Sequence, residues 1–534
     1  MSMDNPAEPP RPHPTDSAGQ PARPLAWIVA GLAPLLALPV IRPWSPRAFP
    51  VWDFCTMLPM FRSAHGFWNT VVTFARLDRH NGLARYVLYA EQTLTWLIAG
   101  ENPVGWQWLR ALFMLVAAVL IVVAARRAGA SPLAAGIAAV LFTIGVPSTE
   151  GWLMLMGEPF VLILLLLFFL AGAGYTTTPA WKSRAVLLAM LAFGVMNSKE
   201  VLGVCLPALV LLAVCWVPGR GFRRPAIGRR ELWLGALLLG ALMLEVWLMR
   251  SALHDAPSGA YATRFGRNGL DLDRFSTRFQ SMLLPARFPS APGSTVLYPA
   301  NLAFLALLLL GLARPAGAAR RGESAAWWVL GLLSFPTVGA LTYAFWPRYS
   351  AFYGIPFFAG SIGLLILAAT GAERAHRAGR WIVASLGAVM IGYTVIPSVR
   401  TVGHQRAVAG VAAAIVTSLP GLPRLDTLYR VTPSSGGHSW PVTGSELWRY
   451  MAALHVADSM RPVVRDASCE EVAARLRRPL GRDAVLNDQN PCGRLGVRTR
   501  TWTAEIGYLD WLSLRRRSDT LQVEILAPSW PADR

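Results

Sequence analysis

The hydrophobic residues of this chain are gathered into continuous runs. Residues 106–124, 158–174 and 325–345 are apolar over most of their length and do not alternate with polar residues in steps of two. A bilayer core about 30 Å thick requires roughly 20 apolar residues of a helix, and only helices or closed barrels satisfy their backbone there. The continuous pattern therefore predicts membrane-spanning helices rather than a barrel.

These runs predict an all-α polytopic transmembrane bundle of about eleven helices within residues 25–397. The predicted spans are 25–42, 106–125, 132–147, 158–174, 184–197, 201–217, 231–250, 295–313, 325–345, 351–370 and 380–397.

The segments outside the spans divide into a tail, two long loops and a domain. Residues 1–24 are Pro-rich and polar, which is typical of a disordered tail. The first span is predicted to be a retained signal anchor, because Arg42-Pro-Trp follows it and not a small-residue cleavage site. The long loops are 43–105 and 251–294.

Residues 398–534 are predicted to form a soluble α+β domain. We expect helices at 445–457 and 469–477 and strands at 427–432 and 520–527.

Composition agrees with a membrane protein, since 54% of the 534 residues are hydrophobic and only 15% are charged. A net charge of +20 in a soluble protein would suggest nucleic acid, but here the excess lies in short loops between spans. With the N-terminus inside, all the inner loops are basic, so we predict this orientation, an extracytoplasmic C-terminal domain and no nucleic-acid partner. The Arg-, Ala- and Leu-rich composition indicates the cytoplasmic (inner) membrane of a bacterium.

Cysteine usage fits this topology. Cys469 and Cys492 both lie in the predicted outer domain, and a pair in an oxidising compartment suggests a disulfide, although sequence cannot show the distance between them. Cys205 and Cys215 lie within a predicted span, where we expect inert thiols.

Ionisable residues near the outer ends of the spans are the candidates for chemistry, because charge at membrane depth costs about 3 kcal/mol each on insertion scales. Asp53 is either a general base or a helix cap. Glu150 is either a site residue or a favourable charge at a helix N-terminus. Either Lys199 binds a phosphate, or Lys199 and Glu200 only mark the membrane interface. Either Arg348 binds a phosphate, or Arg348 and Tyr349 are an ordinary interface pair.

A divalent metal is a further possibility at Asp271-Leu272-Asp273, although this short pattern has many false positives.

Several motifs, in order along the chain, carry a family resemblance. They are Ala-Gly-Glu-Asn-Pro at 99–103, Leu-Phe-Thr-Ile-Gly-Val-Pro-Ser-Thr-Glu-Gly-Trp at 141–152, Asn-Ser-Lys-Glu at 197–200 and Pro-Arg-Tyr at 347–349. The set resembles the GT-C superfamily of membrane glycosyltransferases, and within it the protein O-mannosyltransferase-like branch that includes tetratricopeptide-linked enzymes. The chain departs from that branch where Phe54 follows Asp53, where Gly145 or Val146 replaces a histidine, and in lacking the repeats.

The resemblance implies a transferase that moves a sugar from a polyprenyl-phosphate carrier to a glycan, lipid or protein acceptor on the outer face of the membrane. Asp53 matches the catalytic acidic residue, which deprotonates the acceptor for one inverting displacement. Glu150, Lys199, Glu200 and Arg348 match positions that line the outer cavity. We add Tyr349, beside Arg348, and Arg85, in the long loop 43–105, to this substrate-binding set. The implied lipid monophosphate leaving group needs less charge neutralisation than a diphosphate, so we expect a site without a metal or another cofactor. The rival functions are a transporter or flippase of lipid-linked glycan intermediates and a non-catalytic assembly factor.

Overall fold

The structure is a computed structural model of the whole chain. It describes residues 24–44, 60–80, 82–145, 147–149, 157–207, 210, 216–217, 221–222, 228–256, 269–286, 297–312, 319–345, 354–375, 378–418, 426–431, 463–481, 483–488, 492, 499–509 and 516–526. The predicted tail and the predicted helix 445–457 lie outside these residues, apart from Pro24.

The first half of the bundle begins with α1, an apolar helix with a 3-10 segment in its middle. The helices are α1 (Pro24–Ile41), α2 (Phe67–His80), α3 (Tyr86–Ala99), α4 (Pro103–Arg127), α5 (Pro132–Ile144), α6 (Glu158–Gly172) and α7 (Trp181–Ser198). Short 3-10 turns follow at Tyr175–Thr177 and Glu200–Cys205, and a small antiparallel pair joins β1 (Trp216–Val217) to β2 (Gly221–Phe222).

The second half continues the bundle to residue 418. Its helices are α8 (Arg229–Asp255), α9 (Leu272–Leu283), α10 (Pro299–Leu312), α11 (Ala319–Ala344), α12 (Ile355–Ala375) and α13 (Gly379–Ser418). Among the described residues, six helices are long and apolar enough to cross a membrane. They are α1, α4, α8, α12, the Gly379–Ala407 part of α13, and the stretch Glu158–Thr177, which begins with α6. The chain is thus an all-α polytopic bundle, as predicted, and each predicted span except the sixth overlaps a described helix.

Three predictions differ from the described residues. The predicted long loop 43–105 contains the helices α2 and α3, which have 14 residues each and are too short to give a membrane signal. The sixth predicted span, 201–217, begins as the 3-10 turn Glu200–Cys205. The predicted end of the bundle at residue 397 falls inside α13, because the helix continues after its apolar run gives way to a polar stretch at 400–406.

The helix α5 forms the centre of the bundle. Every one of its residues from Ala134 to Ile144 is buried, and it contacts α1, α4, α12 and α13. Small residues allow this close packing, since alanine and glycine let helix backbones approach one another. The same device joins α10 to α12, where a Cβ added at Gly311 would collide with the carbonyl oxygen of Ala368.

The C-terminal domain is a five-stranded sheet with one short helix. Its elements are β3 (Thr427–Val431), β4 (Val463–Asp466), α14 (Cys469–Leu476), β5 (Ala484–Asp488), β6 (Thr499–Leu509) and β7 (Arg516–Leu526). The strand order is β4-β3-β5-β7-β6, with β3 parallel to β4 and β5, and with β7 antiparallel to β5 and β6. The domain is therefore α+β, and α14 coincides with the predicted helix 469–477.

Two local features stabilise this domain. Ser468 and Glu471 form a capping box at the start of α14. Cys469 and Cys492 form a disulfide whose Cα atoms lie 5.3 Å apart. The disulfide packs beside a small core that includes Val472, Val485 and Leu526.

Candidate functional site

Two predicted site residues lie at the point where α7 ends. The helix stops at Ser198, and Lys199 adopts an extended conformation with φ −152° and ψ 93°. An extended residue directs neighbouring side chains to opposite sides, as in a strand. Lys199 and Glu200 accordingly reach different partners, one toward α6 and one toward the start of α3.

Glu200 pairs with Arg85, which precedes α3. Nε of Arg85 donates to Oε2 of Glu200 at 2.9 Å and Nη2 donates to Oε1 at 2.5 Å, so the pair is bidentate. Burial alone raises the pKa of the Glu200 carboxyl, but the Arg85 charge outweighs burial and lowers it below its ordinary value. The pKa of Arg85 is raised in return, because the Glu200 charge outweighs the effect of burial. This pair ties the residue before α3 to the turn that follows α7.

Lys199 pairs with Glu158, the first residue of α6. Its Nζ donates to Oε1 of Glu158 at 2.6 Å, and both side chains are buried. A carboxylate at the first helical position is also favoured by the helix dipole. The Glu158 carboxylate balances the charge of the Lys199 ammonium within the bundle, where an uncompensated charge would be costly.

A third pair joins α3 to α4 and is the most deeply buried. Nη1 of Arg110 lies 2.7 Å from Oε1 of Glu91, with side chains 0% and 2% exposed. The hydroxyl of Thr95 donates to the same carboxylate oxygen at 3.0 Å, and the guanidinium lies over the Phe113 ring. Burial raises the pKa of Glu91, and the Arg110 charge opposes that shift. Such a pair is costly to desolvate and very costly to break.

Asn197 connects these elements. Its Oδ1 accepts the backbone N–H of Val87 at 3.0 Å, while its Nδ2 donates to the carbonyl of Ala84 and to Oε2 of Glu245, both at 2.9 Å. The side-chain amide of Asn197, in α7, therefore links the start of α3 to α8. The three ion pairs and Asn197 together are called the buried polar network below.

The remaining predicted site residues, Asp53, Glu150, Arg348 and Tyr349, lie outside the described residues. The chain that leads to Glu150 is described as far as Ser148 and Thr149, both fully buried. At Gly145, where the resembled branch has a histidine in this or the next position, an added Cβ would lie 2.7 Å from the Phe358 ring. The tight packing there leaves no room for an imidazole at Gly145.

Metal ligation is not visible among the described residues, which contain no cluster of three His, Cys, Asp or Glu side chains able to hold an ion. Asp271 caps α9 by accepting the Arg274 N–H at 2.9 Å. Its carboxylate also pairs with the Arg274 side chain, so it serves the helix terminus.

Sequence reasoning missed Glu91, Arg110 and Glu158 as members of the network. It gave Asn197 only as part of a motif and missed its contact with Glu245. A signal for them existed. Arg110 and Glu245 are charges inside predicted spans, and Glu91 lies within the largely apolar stretch of α3. The rule that intramembrane charges mark function would have selected the first two.

Fold and network together define the class of the molecule: a polytopic α-helical membrane protein with two buried ion pairs and one half-buried pair at one end of the bundle. No protein-family model and no curated protein matches the chain. Among solved structures, the chain is similar to the crystal structure of ArnT from Cupriavidus metallidurans bound to undecaprenyl phosphate. The identity is 14% and the TM-score 0.46, over 94% of this chain and 98% of that one. A likeness at this level does not assign a family.

Proposed function

We propose that the protein is a GT-C-like membrane glycosyltransferase that moves a sugar from a polyprenyl-phosphate carrier to an acceptor at the outer face of the membrane. The observation that carries the proposal is the meeting of Arg85 and Glu200, residues 115 positions apart, beside Lys199. Lys199 and Glu200 belong to the set that the family resemblance selects, and Arg85 belongs to the predicted substrate-binding set. Charged residues within a membrane bundle are expensive and therefore mark a candidate functional site.

The donor binds with its polyprenyl tail in the bilayer and its phosphate near Lys199 or Arg348. Lys199 contributes a compact positive charge while remaining bonded to Glu158. Arg85 is held by two bonds to Glu200, and we assign it to fixing the first outer loop rather than to the phosphate.

Transfer proceeds by one displacement. Asp53 accepts the proton of the acceptor hydroxyl as its oxygen bonds to the anomeric carbon. The bond from that carbon to the phosphate oxygen breaks, and the polyprenyl monophosphate leaves with its charge stabilised by the nearby cation. The anomeric centre is inverted, and no metal takes part.

Location follows the same proposal. The basic inner loops favour a cytoplasmic N-terminus in a bacterial inner membrane. The Cys469–Cys492 disulfide supports an extracytoplasmic C-terminal domain, because disulfides persist in oxidising compartments.

The test is sugar release from a panel of synthetic polyprenyl-phosphate sugars, with purified wild type, Asp53→Asn and Asp273→Asn. Asp273 is an exposed acidic residue outside the proposed site and serves as the matched control. We expect wild type and Asp273→Asn to release one sugar and Asp53→Asn to fall by about a hundredfold or more, the usual contribution of a positioned base. Donor binding without release in any variant would favour the flippase, and equal release by all three would remove Asp53 from the mechanism.

A further inference from the structure

A cleft bordered by Glu200 opens between α7 and α8. It has a volume of about 280 Å³, and its walls include Val246, Met249 and Leu253 of α8. Glu200 and Glu245 lie along it, and Arg250 completes the polar part of the lining. The cleft thus combines apolar walls with charges of both signs.

Among the described residues, no cation forms an ion pair with Glu245. The residue is 5% exposed, its Oε2 accepts the Asn197 amide, and its Oε1 has no hydrogen-bond partner within the described part of the chain. The nearby guanidinium of Arg85 is bound through two nitrogens to Glu200. A buried carboxylate oxygen without a donor is costly, so the cleft favours a ligand that brings a donor or a positive charge.

The cleft faces the lipid. Only 17% of the apolar window of α8 is buried in the protein, compared with 78% for α12. Val246, on the cleft wall, and its neighbour Trp247 are both more than half exposed. A molecule that reaches Glu245 through this surface comes from the bilayer.

We infer that this cleft binds a membrane phospholipid whose headgroup carries a primary ammonium group. The ammonium donates to Oε1 of Glu245, the lipid phosphate pairs with exposed Arg250, and an acyl chain follows Val246, Met249 and Leu253. A quaternary ammonium has no N–H to donate, and an anionic lipid without an amine leaves Glu245 unsatisfied. The inference concerns lipid binding and does not depend on the proposed transferase activity.

The test is native mass spectrometry of purified protein with phosphatidylethanolamine, its mono- and dimethylated forms, phosphatidylcholine and polyprenyl phosphate, the phospholipids with identical acyl chains. We expect one phosphatidylethanolamine molecule to stay bound to each protein. Affinity should fall with each added methyl group, and phosphatidylcholine should bind about tenfold or more weakly than phosphatidylethanolamine. Glu245→Gln should abolish this preference, and Arg250→Gln should weaken all the phospholipids alike. Glu231→Gln, at the opposite end of α8, should change neither.

Val246→Trp gives an independent check, since this exposed position can accept a large side chain that fills the cleft without altering its charges. It should release the bound lipid while the protein stays folded. The inference is overturned if wild type shows no preference for the primary ammonium, if Glu245→Gln retains the preference, or if polyprenyl phosphate takes the site and binds more tightly to Glu245→Gln.

Discussion

The ion pairs of the bundle and those of the C-terminal domain have similar lengths but different surroundings. Arg110–Glu91 in the bundle is 2.7 Å long with side chains 0% and 2% exposed, while Arg475–Asp483 in the domain is 2.6 Å long with side chains 23% and 16% exposed. Burial makes the Arg110–Glu91 pair costly to break, whereas water screens the partly exposed Arg475–Asp483 pair. Distance alone therefore does not rank the importance of these contacts.

The largest effect is expected from breaking Arg110–Glu91. Arg110→Met leaves the Glu91 carboxylate buried without its cation, which should cost about 3–5 kcal/mol of unfolding free energy. Arg110→Met with Glu91→Leu removes both charges and should recover most of that loss. Denaturation in detergent measures both variants, and equal stability of the single and double variants would contradict a coupled buried pair.

The disulfide should rank second. Replacing Cys469 and Cys492 with serine opens a loop of 23 residues and should destabilise the domain by about 3 kcal/mol on the chain-entropy estimate. Proteolysis of the C-terminal domain measures the loss. Cys205→Ser, at a buried free thiol in the bundle, is the control and should leave the domain resistant. An equally resistant domain without the disulfide would show that the crosslink does not stabilise it.

Arg85–Glu200 should rank third and carries a pH signature. Its side chains are 19% and 22% exposed, much like those of Arg475–Asp483, but its two parallel hydrogen bonds make it the stronger pair, so Glu200→Gln should cost about 1–1.5 kcal/mol. Because Arg85 lowers the pKa of Glu200, the wild-type advantage is complete above the unfolded carboxyl pKa of about 4.3. It is lost as pH falls through the lower folded pKa, so stability curves of wild type and variant should stay parallel from pH 8 to about 5 and converge below about 4. Convergence near neutral pH would contradict the lowered pKa.

The smallest effect is expected at Arg475–Asp483. Asp483→Asn should change the stability of the domain by no more than about 1 kcal/mol, since partly exposed pairs contribute little. The raised pKa of Arg475, caused first by its bond to Asp483, does not alter this, because the guanidinium is charged at every accessible pH. Urea unfolding of wild type and variant tests the point. A loss as large as that of Arg110→Met would mean that exposure does not separate the two regions.

The sequence predicted the bundle better than the network. Long apolar runs such as 103–127 and 355–375 are visible because membrane helices need length and hydropathy alone. The pairing of Arg85 with Glu200, or of Lys199 with Glu158, depends on how distant helices pack, which no local pattern contains. Asn197 was visible within its motif, but its three bonds to α3 and α8 required the fold.

The strands show the same limit. The predictions at 427–432 and 520–527 fall on β3 and β7, while β4, β5 and β6 were missed. Their sequences contain Arg, Asp, Asn or Glu within short runs, and pairing in the sheet rather than intrinsic preference makes them strands.

The most direct test of the central claim is binding of a synthetic polyprenyl-phosphate sugar to wild type, Lys199→Gln and Arg475→Gln. Removing a charged hydrogen-bond donor from a phosphate site costs about 1.5–3 kcal/mol, so Lys199→Gln should bind about tenfold or more weakly. Arg475→Gln, which removes a cation of the domain, should bind like wild type. Unchanged affinity in Lys199→Gln, with the protein folded, would show that the charged end of the bundle does not hold the donor phosphate through Lys199.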